Sequence, residues 1–274
     1  MNIPQILLIT EAVVFGLIIG SFLNVCVYRL PLNLSLWGRS FCPSCKKQIP
    51  FYRNIPVVSF LIQGGKSACC KKPISLQYPV VEALTAFISV LTLLHVPDAA
   101  HNLASYFLWF GLFMCPLIVI TFIDFEHMII PDSISLPFIL VGVGVTLFSL
   151  WPDWKTALIR SLLGAVIGGG SLWILAEVVS RIKKREAMGG GDIKLATMLG
   201  AFLGWKALIF VFFGSSVLGL IYAVTLMVSK KNRGRVIPFG PFLSLAAMIF
   251  WLYGKQITDA YFLNVLKLGV NPIF

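Results

Sequence analysis

The sequence predicts an all-α polytopic membrane protein of about eight transmembrane helices, with a small cysteine-bearing insert on the cytoplasmic side. Three observations carry that fold class. Hydrophobic residues make up 58% of the 274-residue chain and charged residues only 12%, about half the charged share of a soluble domain. The apolar residues are gathered into runs close to the roughly 20 residues that cross a bilayer. Lys and Arg outnumber Asp and Glu by 22 to 11 and collect between alternate runs, the pattern expected when positive loops stay in the cytoplasm. In such a chain the basic excess reports orientation, so no nucleic-acid partner is expected.

The first run, 5–28, has neither a basic leading segment nor a good cleavage site, so 1–28 reads as a retained transmembrane helix. Residues 29–77 are polar and carry Arg29, Arg39, Lys46, Lys47, Arg53, Lys66, Lys71 and Lys72. The positive-inside rule puts this insert in the cytoplasm and the N-terminus outside. Residues 78–274 form the main helical bundle, with apolar runs over 78–96, 103–123, 134–150, 156–180, 206–229 and 238–254. A further run, 193–204, is rich in Ala, Gly, Met and Leu but covers only roughly 18 Å. It reads as a tilted or re-entrant helix buried by its neighbours, and counting it as a crossing makes the charge bias consistent. With it, the 124–133 loop, the run Arg181, Lys183, Lys184, Arg185 and the run Lys230, Lys231, Arg233, Arg235 all fall inside.

Four of the six cysteines crowd into the insert. Cys42-Pro43-Ser44-Cys45 has the spacing of a zinc knuckle, and Cys69-Cys70 supplies two more thiols. Four thiolates suit a structural Zn2+ site, which would stabilise a short polar segment that has little core of its own. Free thiols or a disulfide are the competing readings, and a reducing compartment weighs against the disulfide. Cys26 and Cys115 lie within apolar runs and read as small buried residues.

Eleven carboxylates invite elimination. Asp98, Asp153, Asp259 and Glu186 fall in loops, the tail or a basic run, where solvated charges are expected. Asp124 closes one apolar run and Asp192 opens the short one, so both meet the membrane at its cytoplasmic face. Two carboxylates at one level can converge and share a proton, letting one activate water while the other protonates a peptide carbonyl. The plainer readings are a helix N-cap for Asp192 and a headgroup-level charge for Asp124. Asp132 reads as a cap, and His127 stands three residues from Asp124, within reach to orient it. Gly189-Gly190-Gly191 allows close approach and positive φ beside Asp192, or serves as a linker. The segment lacks the Lys-Ser/Thr ending of a phosphate loop. Val236 to Pro241 suggests a shaped turn.

Together these residues resemble a family, the type IV prepilin peptidases among the GxGD membrane aspartyl proteases. Its carriers run the length of the chain: Gly20-Ser21-Phe22-Leu23-Asn24-Val25 to Arg29-Leu30-Pro31, Cys42-Pro43-Ser44-Cys45, Asn54-Ile55-Pro56, and Tyr78-Pro79-Val80-Val81-Glu82. Asp124 through Ile130-Pro131-Asp132, Gly189-Gly190-Gly191-Asp192-Ile193-Lys194-Leu195 and Pro238-Phe239-Gly240-Pro241 follow. The resemblance implies a multi-pass protein of the bacterial inner membrane, with its insert and active site facing the cytoplasm. It would cleave the leaders of prepilins and type II secretion pseudopilins, with membrane lipid as its surroundings. Asp124 and Asp192 would be the catalytic pair. Many members also methylate the new N-terminus with S-adenosylmethionine. Ser67 departs from the family, standing where the first Cys of a second pair is usual, which leaves Cys69 to complete a metal set of Cys42, Cys45, Cys69 and Cys70.

Gly189, Gly191, Lys194 and Glu82 are the candidates for substrate contact. Glu82 has two readings, holding the product's ammonium group or pairing with Arg29. The competing function is a cation transporter using Asp124 and Asp192. Their placement at one face argues against it, since carriers bind near the midplane.

Overall fold

The structure, a computed structural model, describes residues 3–96, 103–184, 188–228 and 237–261. The run Lys230, Lys231, Arg233, Arg235, together with Asp98, Arg185, Glu186 and Val236, lies outside them. The described residues are helical, with two isolated antiparallel bridges and no strands. Six helical stretches are long and apolar enough to cross a membrane: Gln5–Arg29, Gln77–His95, Leu103–His127, Asp132–Ser149, Trp154–Lys183 and Trp205–Val228. The eight expected crossings therefore reduce to six on length and composition among the described residues. The chain divides into two units, Met1–Val119 and Ile120–Phe274.

In the first unit, α1 (Ile3–Arg29) packs along α3 (Gln77–His95). Gly16 and Gly20, one turn apart on α1, make the approach possible. A Cβ on Gly16 would stand 2.6 Å from Ala86 Cα, and one on Gly20 2.7 Å from Glu82 Cα. Without a hydrophobic driving force in lipid, small residues that bring backbones together are what hold such helices. The Ser89 hydroxyl donates to the Ala12 carbonyl at 2.7 Å and lies 2.7 Å from the Tyr106 hydroxyl, fixing the register. Tyr106, on α4 (Leu103–Trp109), stacks on Phe110 of a π-helical segment, Phe110–Met114, that leads into α5 (Cys115–His127). Cys26 and Cys115 are buried, as expected of small apolar residues.

Between α1 and α3 lies the insert, whose one α-helical turn is α2 (Val58–Ile62). Arg29 anchors its start. It is buried, and its guanidinium donates to the carbonyls of Ser35, Trp37 and Arg39 at 2.8, 3.1 and 3.1 Å. The expected alternative of an Arg29–Glu82 pair is thereby replaced, because the guanidinium is spent on backbone carbonyls. Val57 adopts φ 59°, ψ −48°, and Val58 N–H donates to Pro56 O at 2.6 Å. This is a positive-φ γ-turn, strained for a β-branched residue. Glu82 holds it by accepting the Val57 N–H at 2.7 Å.

The second unit is built around α8 (Gly190–Leu203), 14 residues long and buried from Leu195 onward except at Thr197. It packs against α6 (Asp132–Ser149), α7 (Trp154–Lys183), α9 (Trp205–Val228) and α10 (Gly240–Asp259). A helix apolar on all sides needs such enclosure, so the sequence reading of a short helix buried by its neighbours agrees with the structure. Gly164 and Gly168 of α7 meet Gly200 and Ala196 of α8 with backbone against backbone, and Gly169 makes room for the Thr197 side chain. Thr146 and Ser161 both donate to Ala201 O, at 3.0 and 2.7 Å, and Arg160 donates to Leu203 O at 3.1 Å.

Candidate active site and cysteine cluster

Asp124 lies in the last turn of α5 and is 5% exposed. Its Oδ2 accepts the backbone N–H of Gly240 at 3.1 Å. Gly240 is the first residue of α10, so the carboxylate meets an amide that the helix itself cannot satisfy. No side chain fits there: a Cβ on Gly240 would stand 2.6 Å from Asp124 Oδ2 and 3.0 Å from Ile130 Cδ1.

Asp192 is the third residue of α8. Gly189 takes the N-cap position without a side-chain bond, and the Asp192 N–H donates to Gly189 O. The N-cap reading of Asp192 therefore falls, because its side chain is not used on its own helix end. Asp192 is close enough to Asp124 for the charge of one to act on the other. The buried Ile130 ties the two ends together: a Cβ on Gly191 would stand 3.0 Å from Ile130 Cβ, on the same side chain that borders Gly240. The short α5–α6 loop thus threads between the N-termini of α8 and α10. Asp124, Asp192 and Gly240 converge from separate parts of the sequence.

Other expectations change. None of Gly189, Gly190 or Gly191 has positive φ, and only Gly191 has a neighbour that a Cβ would crowd. Asp132 opens α6 without a capping bond and instead accepts both of its contacts from Lys194 Nζ, at 2.7 and 2.8 Å. His127 Nε2 lies 4.0 Å from Glu126 on the exposed side of the loop, turned to that carboxylate. Sequence reasoning missed the Gly240 amide, the Ile130 wedge and the Asp132–Lys194 pair. Only the last left a signal, a Lys two residues after Asp192.

Glu82, in the first unit, is buried, with Ser21 and Asn24 beside its carboxylate. Asn24 in turn donates to Tyr78 O at 3.0 Å.

In the insert, the Sγ atoms of Cys42, Cys45, Cys69 and Cys70 all lie within 4.8 Å of one another. Cys42 Sγ is 3.8 Å from Cys70 Sγ and Cys45 Sγ is 3.2 Å from Cys69 Sγ. A tetrahedral zinc with Zn–S near 2.3 Å sets its sulfurs about 3.8 Å apart. The thiols are free, and the donor set fits Zn2+. Adjacent Cys69 and Cys70 each face a cysteine of the other knuckle, which removes the awkwardness of neighbouring ligands. The Ser67 hydroxyl beside Cys69, with Cys45 next to it, holds the Cys69 thiol below its usual pKa.

Fold and site together define a polytopic helical membrane protein that gathers two carboxylates at the ends of buried helices. Comparison with known proteins narrows the class. Residues 14–96 match the bacterial peptidase A24 N-terminal domain, and residues 111–224 match the type IV leader peptidase family. The chain is 35% identical to the prepilin leader peptidase/N-methyltransferase of Stutzerimonas stutzeri, over 91% of this chain and 92% of that protein. It is 37% identical to the enzyme of the same name from Neisseria gonorrhoeae, over 91% and 92%, and 35% identical to that of Pseudomonas aeruginosa, over 91% of each. The chain belongs to the type IV leader peptidase family. No solved structure matches it. The cation-transporter reading finds no support among these relatives.

Proposed function

We propose that this protein is a membrane aspartyl endopeptidase that removes the leaders of type IV prepilins and type II secretion pseudopilins. The observation that carries the reading is the convergence of Asp124 and Asp192, near enough for one charge to act on the other, beside the α10 N-terminus. In the proposed reaction the two carboxylates hold one proton between them. The ionised partner takes a proton from water, which attacks the scissile carbonyl carbon. The protonated partner gives its proton to the carbonyl oxygen. Collapse of the tetrahedral species returns that proton to the departing amine, leaving an acid and a free N-terminus. Gly240 N–H keeps Asp124 aimed throughout, and Ile130 limits water at the pair.

Gly189, Gly191 and Lys194 adjoin Asp192 and are proposed substrate contacts. Glu82, proposed to meet the product's ammonium group, belongs to the first unit. The relatives' names carry a second activity, and we extend it here: methylation of the new N-terminal amine, with S-adenosylmethionine supplying the methyl group. The proposed setting is the bacterial inner membrane, with eight crossings that add α8 and α10 to the six apolar stretches and with insert and carboxylate pair on the cytoplasmic side. The proposed organisation is a first helix 1–28, the Cys-rich insert 29–77 and the protease bundle 78–274. Zn2+ would be held by Cys42, Cys45, Cys69 and Cys70, where it supplies structural cross-linking.

Mass spectrometry of a prepilin incubated with the purified protein tests both reactions. Cleavage without added metal is expected, with a further methyl group when S-adenosylmethionine is present. Asp124→Asn and Asp192→Asn should each abolish cleavage, and persistence in both variants rejects the pair.

A further inference from the structure

The two halves of the cysteine cluster are copies of one local fold. In the first knuckle, Cys42 N–H donates to Lys47 O at 2.9 Å and Lys46 N–H to Cys42 O at 2.8 Å. In the second, Ser67 N–H donates to Lys72 O at 2.8 Å and Lys71 N–H to Ser67 O at 2.8 Å. Lys46 and Lys71 take the same left-handed conformation, φ 59° and 60°. Each knuckle is closed by one antiparallel bridge, Phe41 to Gln48 and Lys66 to Pro73. The backbone therefore equates Cys42 with Ser67, Ser44 with Cys69, and Cys45 with Cys70. Cysteine and serine have changed places in the second knuckle.

The backbone-equivalent position, Ser67, offers a neutral hydroxyl, which is outside the thiolate, imidazole and carboxylate set that zinc takes from proteins. The sulfur two residues later has nonetheless reached the cluster. Cys69 Sγ lies 3.2 Å from Cys45 Sγ and 2.9 Å from Ser67 Oγ, and Ser67 Oγ lies 3.6 Å from Cys42 Sγ. Resting on the zinc reading above, we propose that the exchange moves the fourth ligand to Cys69 and makes Ser67 its outer-sphere partner. With Cys69 a thiolate, only the hydroxyl can donate, so Ser67 O–H points its proton at the coordinating sulfur. Such a donor orients its ligand and tunes it, and losing one typically weakens a metal site roughly 10- to 100-fold. A symmetric four-cysteine site has no hydroxyl at this place.

The test is metal binding by the full-length protein in detergent, read by Zn2+ stoichiometry and by the sulfur-to-metal charge-transfer absorption of the Co2+ form. Wild type should bind one metal with four-thiolate intensity. Cys69→Ser should lose the metal or show about a quarter less charge-transfer intensity. Ser67→Ala should keep that intensity and the stoichiometry while binding 10- to 100-fold more weakly. The double variant Ser67→Cys, Cys69→Ser, which restores the symmetric set, should recover four-thiolate binding and guards against a Cys69→Ser protein that misfolds. Unchanged intensity in Cys69→Ser, or unchanged affinity in Ser67→Ala, overturns the assignment while leaving the zinc reading intact. A wild-type protein that takes up neither metal rejects the zinc reading itself.

Discussion

The crossing of α7 and α8 offers the most direct test of how this bundle is held and what its packing does for the candidate site. Gly164 and Gly200 face each other with no side chain between them. A Cβ on Gly164 would stand 2.8 Å from the Gly200 carbonyl carbon and from Gly204 Cα, and nearer still to the Gly200 oxygen. A Cβ on Gly200 would strike the Gly164 carbonyl and stand 3.0 Å from Ala165 N. Every obstructing atom is backbone, so nothing can rotate aside and the helices must part by roughly 1 Å. Overpacking of this kind costs about 1–3 kcal/mol. Pulling Ala201 O away from Thr146 and Ser161 loses two hydrogen bonds at about 1 kcal/mol each. Gly200→Ala should therefore destabilise by about 3 kcal/mol or more, and because α8 carries Asp192 in its first turn, a 1 Å misplacement would slow cleavage on the order of 100-fold. Gly144 and Gly170, helical glycines with nothing within 4 Å of a Cβ, are the controls. Their alanine variants should be neutral or gain up to about 1 kcal/mol of helix propensity. Thermal unfolding in detergent and initial cleavage rates of the three single variants give the comparison. If Gly200→Ala melts with Gly170→Ala and cleaves at the wild-type rate, the backbone-contact argument is wrong.

Val57→Gly should raise stability by about 1–2 kcal/mol in an unfolding titration, because glycine adopts its φ of 59° without strain. Glu82→Ala should cost about 1–3 kcal/mol by leaving the Val57 N–H without its carboxylate, whereas Glu82→Gln should retain most of the stability. Gly240→Ala, which places a methyl 2.6 Å from Asp124 Oδ2, should suppress prepilin cleavage while leaving metal content of the insert unchanged. The Asp132–Lys194 pair is exposed and should contribute only about 0–1 kcal/mol to unfolding. If its task is to hold the α5–α6 loop, the swap Asp132→Lys with Lys194→Asp should recover cleavage that either single change impairs. If Lys194 acts by touching substrate, the swap will not recover it. Arg29→Lys should loosen the start of the insert, because an ammonium cannot reach three carbonyls as the guanidinium does, and limited proteolysis within 30–50 should quicken.

Hydropathy and charge bias made the long helices legible, because a lipid-facing span must be apolar along its whole length whatever it touches. The same logic explains the ends that shifted. Apolar counting stopped at 123 and resumed at 134, yet α5 runs to His127 and α6 begins at Asp132, since charged residues at an interface continue a helix as readily as apolar ones. The reduced count has two causes: α8 is a buried core element shorter than a span, and α10, though 20 residues long, is not apolar enough to be counted. Asp124 and Asp192 could be proposed as a pair from the sequence because few acids compete for the role. Its surroundings were not. Gly240 N–H is a backbone donor that no side-chain inventory contains, and Ile130 looks in the sequence like any apolar loop residue.

What brings these parts together is a set of approaches that only glycine permits. Gly164, Gly168 and Gly169 let α8 sit deep against α7, Gly191 gives room to Ile130, and Gly240 lets Asp124 reach the amide at the start of α10. Each contact fixes one end of a helix that carries or orients a carboxylate. A buried carboxylate beside a half-buried one opposes its own assembly, and in this protein the opposing force is met by close packing of the helices that carry them and by a helix amide aimed at Asp124. Among the described residues no countercharge touches Asp124: its side chain has the Gly240 N–H, while Lys194, the nearest cation in sequence to Asp192, is bound to Asp132. On the proposed function, a proton shared between the two carboxylates would relieve the repulsion, and such a proton is what peptide hydrolysis by this pair requires.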